Sequence, residues 1–249
     1  MKIRYLSKCL LIEDVKEKVL VIGDLHIGES GGRIEGIDIK ERRFDEMIEE
    51  LNIIFRIINI KAEGKRKIVD KIILLGDLKH DFSSLSWEER NGLVNLFDYL
   101  DDKCEEIIII RGNHDNYLLN LTSKRRIKIY DNYVWKGFCF LHGNRDFKEI
   151  YRNEIKCWVM GHLHPAIVLR EGIKSEKYKC FLEGSFKNKK IIVLPSFSIS
   201  EGIDVLELLE KRKNNLAWDF DLKKFTVKIV DSDKMEVVDF GKLKKIKLI

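Results

Sequence analysis

Short apolar runs along the chain stop abruptly at glycine and polar residues, and between the first three runs apolar positions recur at helical spacing. Lys18–His26 begins as Lys-Val-Leu-Val-Ile and ends in Gly23, Asp24, Leu25 and His26. Lys71–Leu78 repeats the design, with Gly76 and Asp77 after the apolar run. Glu106–Arg111 carries four consecutive isoleucines into Gly112-Asn113-His114-Asp115. Such β-branched runs read as buried strands. Between them, Ile39 to about Lys61 sets Phe44, Ile48, Leu51, Phe55 and Ile58 near a 3.6-residue period, which predicts an amphipathic helix. Gly64 and the basic turn from Lys65 to Lys67 close it, and Gly28, Gly31 and Gly32 read as loop. Ser86–Asp102 predicts a second helix, with Ser86 as N-cap and Glu89 completing a capping box. A β-α-β-α-β order over the first 115 residues favours a parallel sheet.

Beyond residue 115 the segments shorten. Ile127–Tyr130, Tyr133–Lys136 and Gly137–Leu141 read as strands, the last ending in His142-Gly143. A short helix is expected over Asn144–Asn153. Lys156–Met160 is another strand, ending in Gly161-His162-Leu163-His164-Pro165, where Pro165 is expected to stop the ladder. Strand alternation would put Asp24 with His26, and His162 with His164, on shared faces. Lys177–Leu182 and Lys190–Leu194 flank a hairpin or crossed connection, and Phe220–Val230 and Met235–Phe240 close the series. No linker, repeat or low-complexity segment interrupts the chain, so residues 1–249 are expected to form one domain.

Composition narrows the class. At 45% hydrophobic and 35% charged residues, the chain is globular rather than disordered. A net charge of +5 permits a nucleic-acid substrate without arguing for one. Five cysteines without a CxxC spacing read as buried free thiols in a reducing compartment. The amino terminus lacks the apolar core of a signal peptide, and no apolar run approaches the ~20 residues that span a bilayer. A cytoplasmic location away from membranes is expected. Oligomeric state is not readable.

The candidate chemistry lies at the strand ends. Asp24 and His26, Asp77, Asn113 and His114, His142, and His162 and His164 follow five separate apolar runs, and they include five of the six histidines. Mixed Asp/His clusters are how transition ions are held. Two carboxylates, an amide and at least four imidazoles are too many for one ion and suit two that share a bridge. Without cysteine in the set, Mn²⁺, Fe, Zn²⁺, Co²⁺ and Ni²⁺ all fit.

Gly23-Asp-Leu-His26, Gly76-Asp77, Gly112-Asn-His-Asp115, His142-Gly143 and Gly161-His-Leu-His164 resemble, in order, the signature of the calcineurin-like metallophosphoesterase superfamily. Within it the chain looks most like archaeal phosphoesterases related to the nuclease subunit of double-strand-break repair complexes. The resemblance implies an α/β fold, a four-layer αββα sandwich of two mixed sheets flanked by helices. It implies a phosphodiesterase with two divalent ions, Mn²⁺ foremost. Asp24, His26 and His164 would bind one ion, Asn113, His142 and His162 the other, and Asp77 would bridge them. His114 would act as general acid, with Asp115 a candidate for orienting its ring. Arg111 and Asn144 are candidate substrate contacts. Lys79 and His80, where Ser/Thr phosphatases of the superfamily differ, read equally as substrate contacts or as an exposed loop. The substrate would be a nucleic acid or a small diester. Lys242, Lys244, Lys245 and Lys247 could meet phosphates, though a solvated face is the simpler reading. The alternatives are a phosphomonoesterase on the same scaffold and a non-catalytic interaction module that keeps the fold.

Overall fold

Ile107 and Ile109 face one way from their strand and Ile108 and Ile110 the other, and both faces are buried. Each fully buried isoleucine contributes roughly 1.5–3 kcal/mol relative to exposure, which pins this strand between two layers. The computed structural model describes the chain except for residues 30–32, 35–36, 61–66, 83, 124, 126, 173, 211–218 and 247–249. The Gly31-Gly32 loop, the helix end from Lys61 to Gly64, most of the basic turn after it, and Lys247 therefore lie outside the described residues.

The chain opens with β1 (Lys2–Leu6), β2 (Cys9–Glu13) and β3 (Lys18–Ile22), then a two-residue ribbon of β4 (Arg33–Ile34) and β5 (Ile37–Asp38). Helix α1 (Ile39–Asn59), β6 (Val69–Leu74), α2 (Trp87–Asp101) and β7 (Cys104–Ile110) follow. After a four-residue helix α3 (Leu119–Thr122) come β8 (Lys128–Tyr130), β9 (Asn132–Trp135), β10 (Phe138–Leu141) and β11 (Cys157–Met160). The last part holds β12 (Pro165–Glu171), β13 (Lys174–Phe186), β14 (Lys189–Val193), β15 (Ile203–Asp204), α4 (Val205–Glu210), β16 (Thr226–Asp231) and β17 (Glu236–Lys242).

Two mixed sheets result. The first runs β1-β2-β3-β6-β7-β8, parallel from β3 to β8 and antiparallel across β1 and β2. The second places β10, β11 and β14 in parallel, with β9 and β13 antiparallel at either side. The long β13 also pairs β12 along its first half and β16 further on. The sheets pack face to face through Val19, Val21, Ile73, Ile108 and Ile110 on one side and Phe138, Phe140, Val159, Phe181 and Ile192 on the other. Helices α1 and α2 cover the outer face of the first sheet with Leu51, Ile54, Phe55, Leu93, Leu96 and Phe97. The capping box at Ser86 and Glu89 forms as the sequence implies.

The outer face of the second sheet is covered more thinly than the flanking helices of the expectation. Val205 of α4, Ile150, Leu222 and Leu243 from three 3₁₀ turns, and Phe220 and Phe225 do that work. The helix expected over Asn144–Asn153 shrinks to one 3₁₀ turn, Lys148–Tyr151. Phe147 before it is extended, and the Ile150 carbonyl is taken by the Trp158 indole N–H at 2.9 Å. Pro165 opens β12 rather than ending a ladder, since the first residue of a strand can do without its N–H. Lys187 and Asn188, both with positive φ, make the β13–β14 connection a tight hairpin. All five cysteines are buried and unpaired. No helix among the described residues is long and apolar enough to cross a membrane.

Candidate metal centre

The loops after β3, β6, β7, β10 and β11 converge on one site, but not by strand alternation. The strands end at Ile22 and Met160, before the site residues begin. Asp24, His26, Asp77, His162 and His164 all have left-handed backbones, with φ of 35°, 45°, 48°, 68° and 44°. Asp and His enter this region more readily than most residues, yet it persists only where surrounding bonds impose it. Here they do. His26 N–H donates to the Asp77 carbonyl at 2.9 Å, Gly161 N–H to that of His142 at 3.0 Å, and Ile203 N–H to that of His164 at 2.7 Å. Left-handed turns, not strand alternation, thus put Asp24 beside His26, and the expected shared face of His162 and His164 does not form. Those two histidines turn to opposite halves of the site.

The first half gathers Asp24, His26, Asp77 and His164, and the second Asp77, His142 and His162, with potential ligand atoms within 4.8 Å of one another in each. Asp77 belongs to both. Its Oδ1 accepts the His114 amide at 2.9 Å, which leaves Oδ2 facing inward, 3.3 Å from His142 Nε2 and 3.9 Å from His26 Nε2. Asp24 accepts the His162 amide and stands 3.2 Å from His164 Nε2. Asn113 Oδ1 lies 3.0 Å from His142 Nε2 and so joins the second half.

The donor set fits divalent ions. His142 Nδ1 donates to the Leu75 carbonyl at 2.7 Å, so in the neutral ring Nε2 carries a lone pair. That lone pair meets Asn113 Oδ1, Asp77 Oδ2 and, at 3.1 Å, His162 Nδ1. In the first half His26 Nε2 and His164 Nε2 stand 3.3 Å apart. Nitrogens bound to one ion at about 2.0–2.1 Å sit about 2.9–3.4 Å from each other at octahedral to tetrahedral angles, which spans both spacings. So many acceptors in one buried space need positive charge.

Protonation supplies some of it in the ion-free protein. Burial works to lower the pKa of His142, but the Asp77 and Asp24 carboxylates outweigh it and raise it to about 9. Burial and the neighbouring His164 depress His26 to about 4, and burial with His142 does the same to His162. Burial tends to raise Asp24 and Asp77, yet the histidines around them hold both below the ordinary carboxylate range.

A calcineurin-like phosphoesterase family model matches residues 17–151, more than half of the chain. The chain belongs to the calcineurin-like phosphoesterase family. The nuclease MPE of Pseudomonas putida shares the fold at a TM-score of 0.58 and 16% identity, covering 93% of this chain and 100% of its own. Vps29 of Entamoeba histolytica, in its Zn²⁺ complex, gives a TM-score of 0.38 at 15% identity, covering 90% of this chain and 99% of its own. Comparison with curated proteins finds no match.

In this family member His114 stands beside the centre without belonging to either ligand group. Its Nε2 is 3.7 Å from Asp77 Oδ2, while Nδ1 donates to the His80 carbonyl. A carbonyl only accepts, so Nδ1 keeps its proton and Nε2 is the nitrogen free to exchange one. Burial lowers the His114 pKa, against the pull of Asp77. The orienting role expected of Asp115 therefore falls to the His80 carbonyl. Asp115 accepts the Leu78 and Gly112 amides at 2.8 Å each and ties the second ligand loop to the third. Its burial raises its pKa to about 6.

Lys79 has no exposed surface and donates to the carbonyls of Asp81 and, at 2.8 Å, Ser84, so it anchors a loop rather than meeting substrate. Buried Glu89 accepts the amides of His80 at 3.0 Å, Asp81 at 2.8 Å and Ser86 at 2.9 Å. One carboxylate thus caps α2 and fixes the loop that presents the His80 carbonyl. Arg111 is half-exposed and lies 3.6 Å from Asp131, in a surface ion pair. Asn144 is partly exposed just past Gly143. Lys242, Lys244 and Lys245 are exposed.

Sequence reasoning also missed the segment after β14. The amides of Phe197 and Ser198 donate to the Gly23 and Asp24 carbonyls at 2.9–3.1 Å. Lys8 and Lys179 hold that segment by the Phe197 and Ser196 carbonyls at 3.0 and 2.8 Å. The polar Pro195-Ser-Phe-Ser198 run after an apolar strand was its only signal.

Proposed function

We propose that this protein is a metal-dependent phosphodiesterase whose site takes two divalent ions, Mn²⁺ foremost, and whose general acid is His114. The observation that carries this reading is the position of Asp77 Oδ2, common to both ligand groups and 3.7 Å from His114 Nε2. Asp24, His26 and His164 would hold one ion, and Asn113, His142 and His162 the other, with Asp77 between them. When bound, the pair would neutralise phosphoryl oxygens and supply a water acidic enough to attack near neutral pH.

The chain's own residues do the rest. The Asp77 carboxylate fixes the spacing of the two halves. His114, held in one tautomer by His80, delivers the Nε2 proton to the departing alkoxide, the step on which an unactivated diester depends. Among the described residues no side chain is placed as a nucleophile, so the reading is direct hydrolysis by water. The nuclease named above has the same fold, which supports a nucleic-acid diester as the narrower substrate class. Five buried free thiols suit a reducing cytoplasm.

The test is turnover of bis-p-nitrophenyl phosphate and p-nitrophenyl phosphate with Mn²⁺, Fe²⁺, Zn²⁺, Co²⁺ and Ni²⁺ in turn. Faster hydrolysis of the diester is expected. Preference for the monoester would make the protein a phosphomonoesterase, and folded protein that is inert with every ion would sink the enzymatic reading.

A further inference from the structure

Among the described residues the three most exposed aromatic side chains are Trp87, Tyr117 and Phe82, at 74%, 62% and 56%. Chance would scatter them over the surface. Instead they sit on two chain segments, 79–87 and 113–117, that are joined where Asn116 bonds the Phe82 carbonyl. Phe82 lies against His114, with ring centroids 3.4 Å apart and 33° between the planes. Asn116 Nδ2 donates to the Phe82 carbonyl at 3.3 Å, which joins the Phe82 loop to the turn that carries Tyr117. Trp87 opens α2, and Glu89 in the same first turn holds the amides of His80 and Asp81. The loop is thus fixed from below by Lys79 and Glu89 while its aromatic ring stays in solvent.

We infer that Phe82 is a stacking subsite for a nucleobase on the leaving-group side of the scissile diester. The inference rests on the phosphodiesterase reading and narrows it to nucleotidyl substrates. His114 protonates the departing oxygen, so the group attached to that oxygen emerges beside the imidazole. The ring nearest that imidazole is Phe82, at 3.4 Å against 5.0 Å for His26 and 6.1 Å for His80. An aromatic face stacks on any base, because every base has a π-face, and the contact is sequence-tolerant. Asp81, Ser84 and Asn116 flank these aromatic residues along the two segments. That mixture suits a sugar and base together better than the continuous apolar core of a protein interface.

The experiment compares a dithymidine diester with two abasic counterparts, one lacking the base on each sugar, for wild type, Phe82→Ala and Phe82→Trp. Wild type should prefer the diester with a base on the departing nucleoside by about tenfold in kcat/KM, within the range that one base–aromatic stack contributes. The preference should reside in KM, collapse to near unity in Phe82→Ala and return in Phe82→Trp. A Phe82→Ala variant that loses turnover on all three substrates alike would overturn the inference and reduce Phe82 to a packing partner of His114. Wild type indifferent to the base would overturn it too. A second readout needs no turnover: stacking should quench a 2-aminopurine dinucleotide in wild type but not in Phe82→Ala. Quenching that depends on Phe82 in a protein that hydrolyses no diester would leave the subsite standing and remove the phosphodiesterase reading. Turnover without quenching would do the reverse.

Discussion

His114 donates its Nδ1 proton to the carbonyl oxygen of His80, so a backbone group decides which ring nitrogen faces Asp77. If His114 is an acid and not a ligand, His114→Ala should keep both ions and lose about 10²–10⁴-fold in diester turnover, the usual worth of a positioned proton donor. Metal content by mass spectrometry, beside steady-state kinetics, checks it. Loss of an ion would move His114 into the ligand set.

The loop that offers the His80 carbonyl depends on Lys79 and Glu89. Lys79→Met removes the charged donor that holds the Asp81 and Ser84 carbonyls, a loss of about 1.5–3 kcal/mol, so the variant should melt lower. Glu89→Gln should weaken the same loop. Both should lose more activity on alkyl leaving groups than on p-nitrophenol, which needs little help to depart. Equal losses along a leaving-group series would show that these residues act on stability alone.

The raised pKa of His142 gives a pH dependence of definite sign. An ion in the second half needs the Nε2 lone pair, so it must displace a proton below about pH 9. Affinity there should climb about tenfold per pH unit from 7 to 9, with one proton released per ion, measurable by calorimetry in buffers of different ionisation enthalpy. Ion-free protein should behave oppositely. A folded pKa above the unfolded 6.5 means that this stabilisation is complete below pH 6.5 and is lost as pH rises through about 9. Denaturant unfolding in chelator across that window tests the second half of the argument.

Gly112 and Gly161 leave room for the two carboxylates. A Cβ on Gly112 would overlap Asp77 Oδ1 and its amide, and one on Gly161 would overlap Asp24 Oδ2. Gly112→Ala should weaken both ions, because Asp77 serves both halves. Gly161→Ala should weaken chiefly the ion held by Asp24. Titrations that follow the two binding events separately would expose any equal effect and defeat the division.

Strand ends were legible because apolar runs stop sharply just before Asp24, Asp77, Asn113, His142 and His162, four of them at a glycine. The capping box was legible because Ser86 and Glu89 are a local signal. What positions the site was not. A left-handed backbone at Asp24 or His164 is imposed by distant amides and carbonyls, which have no side-chain signature. The His80 carbonyl orienting His114 is invisible for the same reason, whereas the Asp115 carboxylate, next to His114 in the chain, is a visible candidate that bonds backbone amides instead. Lys79 read equally as a substrate contact or an exposed loop residue because lysine is usually exposed, whereas here carbonyl partners allow its complete burial. The 3₁₀ turn at Lys148–Tyr151 looked helical until Trp158 claimed the Ile150 carbonyl.

Asp24 and His26 share their ligand group with His164, and the Asp24 backbone is clasped by Phe197 and Ser198. For a chain emerging from the ribosome, the first ligands made must wait for some of the last. Domains tend to fold as units during synthesis, and an early half-site would present only part of its donors to a passing cation. The order of the loops therefore leaves the first ligand group incomplete until His164 has been made.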